Sequence, residues 1–256
     1  MARHERGSNK TVSVILSIIA FLFVAAAVFI GVKHFWHKND DYGEFKNNTA
    51  STAEKALADN PINFPELKEL HPDVCGWVKF EGDDIDIDYP IVCASEDKKE
   101  DYYLRRDLDG KYSTGGTVYI QRLNKTDFSD PCTLIYGHNM RNLSMFGTLK
   151  YLREKEVFDR NQFFYIYTPG HILKYAIKSA FVYDDRHILY SFDFTTEHDF
   201  SAFAEEASNP QSLVKNVRES VEIKNDSKLA VLSTCTNIDD ERYLVVGVLV
   251  EDTKTK

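Results

Sequence analysis

Three side chains in this sequence could together carry out acyl transfer: a thiol, a guanidinium and an imidazole. Cys235 ends the apolar run Leu229–Cys235, and Arg242 begins the second apolar run, Arg242–Val250. Both runs are rich in β-branched residues and flank a short polar loop, which predicts neighbouring strands joined at one end. We therefore expect Cys235 and Arg242 at one rim of a sheet. There the thiol would act as a nucleophile and the guanidinium would stabilise the negative charge that its attack creates.

A histidine is the third group, because a thiol attacks as a thiolate and needs a nearby base or cation. His138 alone ends a strand-like apolar run and begins a loop, and Gly137 before it allows close backbone approach. His138 is therefore the candidate catalytic partner. The other histidines flank the N-terminal apolar segment, end a short helix or occupy polar positions: His4, His34, His37, His71, His171, His187 and His198.

Ordinary structural roles remain open for these residue types. Arg242 could be a surface cation paired with the acidic side chains of the loop before it, although its place directly before an apolar run favours the edge of a buried strand. The other three cysteines lie beside apolar or turn residues and are expected to be buried, although four cysteines could also form two disulfides. They are Cys75, Cys93 and Cys132. No CxxC pair is present, which argues against a metal cluster.

An uncharged segment near the N-terminus predicts a membrane anchor. Residues 11–32 contain no charged side chain, and as a helix they would span roughly 33 Å, enough to cross the core of a bilayer. Three basic residues precede the segment, which favours a cytoplasmic location for residues 1–10 and an extracellular location for the rest. The alanines at 25–27 could instead mark the cleavage site of a signal peptide.

The rest of the chain is acidic. Residues 39–256 carry 26 Lys and Arg against 39 Asp and Glu. This balance argues against nucleic acid as a partner, because phosphate binding requires a basic face. It is typical of a solvated domain outside the cytoplasm, and the length is sufficient to bury a core without disulfides.

The pattern after the anchor predicts a stalk with one helix (33–62) and then a single β-rich domain (63–256). Turn residues separate apolar runs that predict strands, and roughly eight strands with short helical excursions indicate an antiparallel barrel or sandwich. The predicted strands are 74–80, 85–92, 117–121, 133–138, 162–168, 171–183, 229–235 and 242–250. The predicted helices are 49–59, 65–70, 144–152 and 196–207, and residues 184–194 are predicted to form a loop.

Several motifs resemble those of the class B sortases. They are Tyr136-Gly-His-Asn-Met140, Ser144-Met-Phe-Gly147, Leu232-Ser-Thr-Cys235 with the downstream Arg242, Gly76-Trp-Val-Lys-Phe80, Asp86-Ile-Asp-Tyr-Pro-Ile-Val92 and Tyr102-Tyr-Leu104. The resemblance extends from about residue 63 to the C-terminus. It implies an eight-stranded β-barrel with N-terminal helices and a helix in the loop between its sixth and seventh strands, preceded by one transmembrane helix.

The resemblance also implies roles for single residues. His138, Cys235 and Arg242 would form the catalytic triad, and the excursion 184–209 would wall the substrate groove. Further substrate contacts would come from Ser233, from the backbone of Thr234, which can help to hold an oxyanion, and from Tyr190. Nothing resembles the glutamate cluster that binds calcium in class A members, so neither a metal nor a cofactor is expected.

The implied activity is transpeptidation outside the cell by an enzyme anchored in the membrane through one helix. Such an enzyme cleaves a C-terminal sorting signal after Thr through a Cys thioester, and transfers the acyl group to a peptidoglycan crossbridge or a pilin amine. Two alternatives remain. One is an extracytoplasmic cysteine peptidase or L,D-transpeptidase, and the other is a membrane-tethered binding module that keeps its thiol buried.

Overall fold

A computed structural model describes residues 57–236, 238 and 240–256. Their strands are β1 (Val74–Phe80), β2 (Asp88–Cys93), β3 (Val118–Ile120), β4 (Cys132–Tyr136), β5 (Phe163–Thr168), β6 (His171–Asp184), β7 (Lys215–Val217), β8 (Leu229–Cys235) and β9 (Glu241–Lys254). Their helices are α1 (Phe64–Leu70), α2 (Lys155–Arg160), α3 (Ile188–Ser191) and α4 (Glu197–Ser208), with 3-10 turns η1 (Tyr102–Arg105) and η2 (Leu149–Arg153).

Eight of the strands close into a barrel, which confirms the predicted mainly-β architecture. The hydrogen-bonded order is β5-β1-β2-β3-β4-β8-β9-β6, and β6 pairs again with β5 to complete the ring. Strand β7 pairs with the C-terminal half of β6 outside this ring. The pairings β2–β3 and β4–β8 are parallel, so the expectation of a wholly antiparallel sheet was wrong. Periodicity within a strand carries no information about the direction of its neighbour.

The first four residues of strand β8 are all apolar because this part of the strand is buried on both faces. Ala230 and Leu232 point into the barrel, where they join a core built around Trp77. Val231 points outward into a second cluster, which contains Phe203 of α4. Successive strand residues alternate between faces, so a strand segment covered on both sides lacks the polar alternation of a half-exposed strand. The central strands therefore appear in the sequence as continuous apolar runs.

Helix α4 covers the outer face of the sheet, and its prediction is confirmed with a shift of one residue. The hydroxyl of Thr196 caps it by accepting a hydrogen bond from the backbone N–H of Asp199 at 3.2 Å. Phe200, Phe203 and Ala207 recur on one side of the helix and are buried. The helix lies in the connection between β6 and β7, as predicted.

The helix predicted at 144–152 was wrong. Only η2 forms there, beginning at Leu149, and Met145 before it has a left-handed backbone with φ of 56°. The N–H of Met145 donates to the hydroxyl of Tyr89, and the N–H of Phe146 donates to the carbonyl of His138. The left-handed backbone at Met145 interrupts any right-handed helix, and these tertiary bonds hold the segment in its non-helical conformation.

Two further elements were missed by periodicity because they are too short to show it. Helix α3 lies within the segment 184–194 that was predicted as a loop, and β7 is a three-residue strand. Asn216 of β7 is held by its side chain, which donates to the carbonyls of Leu152 and Arg153.

Residues 1–56, with the predicted cytoplasmic segment, membrane anchor and most of the stalk, lie outside the described residues. In the part of the chain that is described, no helix has the length and apolar character needed to span a bilayer. The helix predicted at 49–59 is not helical over its described end, where Ala58 bridges Thr255. Helix α1 is confirmed, with the side chain of Asn63 as its N-cap.

Candidate active site

Strand register brings the predicted nucleophile and the predicted oxyanion donor together. Cys235 at the end of β8 is paired directly with Arg242 of β9. Paired residues lie on the same face of a sheet, and residues two apart on one strand share that face. Ser233 therefore lies beside Cys235, and Tyr136 of β4 lies opposite Ser233. All four belong to the outer face of the barrel, at its rim.

Cys235 is the exposed thiol among the four cysteines, all of which are free. Cys75, Cys93 and Cys132 are buried, and burial raises the pKa of each of these three thiols. The expectation that they serve as small buried hydrophobes is confirmed, and the alternative of two disulfides is wrong. A thiol that attacks a polypeptide has to meet it, so accessibility favours Cys235 as the nucleophile.

Glu241 contacts both Arg242 and Thr236. The guanidinium of Arg242 donates from Nη1 to the carbonyl of Glu241 at 3.0 Å. The carboxylate of Glu241 accepts from the hydroxyl of Thr236 at 3.2 Å. Glu241 therefore contacts Arg242 through its backbone carbonyl, while the Glu241 carboxylate bonds Thr236. The half-buried guanidinium of Arg242 lines a pocket on the outer face.

His138 lies two residues beyond β4, in a loop tied to the strand that carries the thiol. The backbone N–H of Gly137 donates to the carbonyl of Ser233 at 3.2 Å. The side chain of Asn139 donates to the carbonyl of Cys235 at 3.0 Å. The histidine loop and the end of β8 are thus joined on both sides of His138. Asn139 was part of the recognised motif, but its role as a link was missed because its partner is 96 residues away.

Two contacts fix His138 itself. Its ring donates from Nε2 to the carbonyl of Leu104 at 2.8 Å, and its own carbonyl accepts from the N–H of Phe146 at 2.9 Å. The glycine before it allows this packing, since a Cβ on Gly137 would lie 2.6 Å from the ring of Phe146. Close approach was predicted for Gly137, and the structure shows it on two sides: its N–H bonds strand β8, and its Cα faces the ring of Phe146.

A pocket of about 160 Å³ opens beside Arg242 and runs beneath the start of the excursion between β6 and β7. Several aromatic rings line the pocket and pack against one another in a row. Tyr119 stacks on Tyr136 with ring centroids 5.3 Å apart, Tyr136 lies 6.1 Å from His187, and His187 lies 4.4 Å from Tyr190. Tyr190 is 74% exposed. Residues 184–188, at the start of the predicted groove wall, line this pocket, whereas Tyr190 lies beside His187 and is not part of the lining. The role of Tyr190 as a substrate contact stays a prediction.

His187 occupies a polar position in the sequence, and its place beside the pocket was not predicted. Its Nε2 hydrogen-bonds the side-chain oxygen of Gln121 on β3, and burial lowers the pKa of its imidazole. A partner 66 residues away creates this environment, and no local pattern around residue 187 could have indicated it.

Two of the predicted contact residues differ in the face they occupy. Ser233 is buried and lines the pocket. The side chain of Thr234 is buried on the opposite face of β8, toward the barrel interior, and its hydroxyl makes no hydrogen bond. Thr234 can therefore reach a substrate only through its backbone. Among the described residues, no group of three or more His, Cys, Asp or Glu side chains is arranged to hold a metal ion.

The sequence and the fold are similar to those of known proteins. No protein-family model matches the sequence. The chain is 29% identical over 190 residues to Sortase B of Listeria monocytogenes, which is 72% of this chain and 73% of that protein. Sortase B of Clostridium perfringens superposes with a TM-score of 0.65 at 25% identity, over 73% of this chain and 99% of that one. Sortase B of Bacillus anthracis in complex with AAEK1 gives a TM-score of 0.65 at 26% identity, over 78% and 89%.

Proposed function

The chain is a class B sortase, hence a cysteine transpeptidase, and from this premise we propose that it cleaves a sorting signal after Thr and transfers the acyl group to an amine. The observation that carries the proposal is the direct pairing of Cys235 with Arg242 at an exposed rim, beside the loop of His138. We assign Cys235 as the nucleophile, Arg242 as the oxyanion donor and His138 as the proton carrier.

The first half of the reaction forms a thioester. The thiolate of Cys235 attacks the carbonyl carbon of a Thr–Gly or Thr–Asn bond, and the carbonyl oxygen becomes an oxyanion. Arg242 stabilises that charge with a permanently protonated, planar donor. The protonated imidazole of His138 gives its proton to the departing amine as the C–N bond breaks, which leaves the acyl group on sulfur and a neutral imidazole.

The second half reverses these roles. An acceptor amine attacks the thioester, the neutral imidazole of His138 takes its proton, and the thiolate of Cys235 departs as the new amide forms. The starting pair of thiolate and imidazolium is restored. We propose a peptidoglycan crossbridge or a pilin lysine as the acceptor, and secreted proteins with a C-terminal sorting signal as donors.

Location is part of the proposal. The uncharged segment 11–32 and the basic residues before it support a single-pass anchor, with residues 63–256 outside the cell. The acidic surface of the rest of the chain is suited to a solvated domain on that side.

The test uses the full chain in mild detergent and two labelled peptides with a Thr–Gly or a Thr–Asn bond. Incubation with and without triglycine, followed by mass spectrometry, separates thioester, hydrolysed peptide and transfer product. We expect transfer to exceed hydrolysis when triglycine is present, and Cys235→Ala to yield neither thioester nor product.

Other products would identify the alternatives. Hydrolysis that triglycine does not divert would indicate a cysteine peptidase. Retained transfer in Cys235→Ala would contradict the assignment of the nucleophile. A native chain whose Cys235 resists alkylation and forms no thioester would indicate a binding module.

A further inference from the structure

The hydrogen bond on His138 determines which ring nitrogen can exchange a proton. A carbonyl oxygen only accepts, so Nε2 of His138 carries hydrogen when it bonds the carbonyl of Leu104 at 2.8 Å. In the neutral ring the other nitrogen, Nδ1, is then the base. The position of the Leu104 carbonyl thus sets both the tautomer and the orientation of the imidazole.

The segment that presents this carbonyl is braced from two sides. In η1 the carbonyl of Tyr103 accepts from the N–H of Thr117 at 3.0 Å, which ties η1 to the start of β3. The hydroxyl of Tyr103 donates to the carboxylate of Asp73 at 2.7 Å, which ties it to the residue before β1. Leu104 is therefore held in place by its neighbours in the chain.

Gly116 lies directly against the Leu104 carbonyl and leaves no room for a side chain there. Its backbone is left-handed, with φ of 58°, and a Cβ at this position would lie 2.4 Å from the oxygen of Leu104 and 2.5 Å from that of Tyr103. These atoms are backbone and cannot rotate away, so any side chain at 116 has to displace the carbonyl that His138 binds. We infer that Gly116 is a positioning residue for the proposed catalytic His138, acting through the carbonyl of Leu104.

The inference rests on the proposed function and has a specific consequence. Displacement of the carbonyl weakens the bond at Nε2, so the proton redistributes between the ring nitrogens and the imidazole rotates. A base on the wrong nitrogen cannot take up the proton of the acceptor amine. Misplacement of a reacting group by about 1 Å can reduce turnover by roughly 10²-fold.

The main variant is Gly116→Asn, because asparagine tolerates a left-handed backbone and introduces a Cβ with little added strain in φ. Gly110→Asn is the matched control: Gly110 also has a positive φ, of 75°, but its Cβ would meet the terminal hydroxyl of the Tyr102 side chain and no backbone carbonyl. Gly115→Ala is the neighbour control, since its Cβ would make an ordinary 3.5 Å contact with Met145.

Kinetics form the first measurement. With the Thr–Gly and Thr–Asn peptides and triglycine, we expect Gly116→Asn to lower kcat by roughly 10²-fold with little change in KM. Both controls should stay within about threefold of the native chain. Urea unfolding of all chains accompanies the assay. A Gly116→Asn chain that does not fold, or that loses no more activity than Gly110→Asn, would overturn the inference.

The second measurement is the tautomer itself, read by ¹⁵N NMR of histidine-labelled chains at a pH where the imidazole is neutral. The His138 signals are assigned from their loss in His138→Gln. We expect protonated Nε2 and bare Nδ1 in the native chain and both controls, and a mixture in Gly116→Asn. A native chain with protonated Nδ1 overturns the inference whether or not any peptide is cleaved. Absence of cleavage by a native chain with protonated Nε2 contradicts the proposed function instead.

Discussion

At the scale of single residues, surroundings distinguish Cys235 from the three other cysteines. Cys235 is exposed, whereas Cys75, Cys93 and Cys132 are buried and their thiol pKa values are raised by burial. A thiol that is both inaccessible and protonated does not react with an alkylating reagent. Chemical reactivity should therefore follow accessibility in the native chain.

Native mass spectrometry after brief treatment with iodoacetamide near neutral pH tests this difference. We expect one adduct per chain, located at Cys235, and none in Cys235→Ala over the same time. In urea all four cysteines should react, and this control shows that the reagent is active and in sufficient amount. Modification of Cys75 at a rate similar to that of Cys235 would contradict the burial described above.

Arg242 should depend on the shape of its guanidinium as well as on its charge. Arg242→Lys retains the charge but loses the planar fork of donors. Because the oxyanion exists only in the transition state, we expect turnover of the labelled peptides to fall by about 10²–10³-fold with a small change in KM. Arg160→Lys is the control, since Arg160 pairs with Asp84 on the surface at 3.0 Å. A loss of less than threefold in Arg242→Lys would remove Arg242 from the mechanism.

At the scale of elements, turns and loops between strands position the site. The 3-10 turn η1 presents a carbonyl to His138, and Asp73 anchors η1. Burial of the Asp73 carboxyl would raise its pKa, but hydrogen bonds from Lys98 and Tyr103 outweigh that effect and hold the pKa below its ordinary value. Ionised Asp73 therefore stabilises the fold.

The contribution of Asp73 to stability depends on pH in a defined direction. A carboxyl whose pKa is lower in the folded state adds stability above its unfolded pKa, about 3.9, and loses it as pH falls through the folded pKa. Asp73→Asn should lower the free energy of unfolding by roughly 1–3 kcal/mol at pH 7, and the difference should shrink as pH drops below about 4. Urea unfolding at several pH values measures it, with exposed Asp86→Asn as control. A difference independent of pH would exclude the charge as its cause.

At the scale of the whole molecule, the acidic barrel and the apolar N-terminal segment have opposite solvent preferences. The segment 11–32 is uncharged, whereas the chain beyond residue 38 is strongly acidic. Opposite preferences of this kind predict that the two parts can be separated. The ring of eight strands lies wholly C-terminal to that segment, and its core contains residues from Ile62 onward.

Removal of the residues before Asn39 should therefore leave a soluble chain that retains transfer activity. Size-exclusion chromatography, the triglycine assay and partition of the full chain into liposomes would measure this. We expect the full chain to associate with liposomes and the shortened chain to stay in solution. Aggregation of the shortened chain, or its binding to liposomes, would contradict a simple anchor.

The predictability of the site depended on distance along the chain. Cys235 and Arg242 are seven positions apart on adjoining strands, so local pattern was enough to predict their meeting. His138 needed a motif, because β4 and β8 pair across almost a hundred residues. His187 and Asn139 were missed, since their partners, Gln121 and Cys235, belong to distant elements.

The sequence by itself determined the class of the protein, the limits of most strands and helix α4, and it predicted Cys235 as the nucleophile. These depend on alternation, capping and motif, which are properties of neighbouring residues. Only the tertiary structure decided that β2–β3 and β4–β8 run parallel, that no helix begins at Ser144, and that the side chain of Thr234 points inward. The physical reason is that contacts between distant parts of the chain set the direction of each strand, the partners of backbone groups and the face on which a side chain lies.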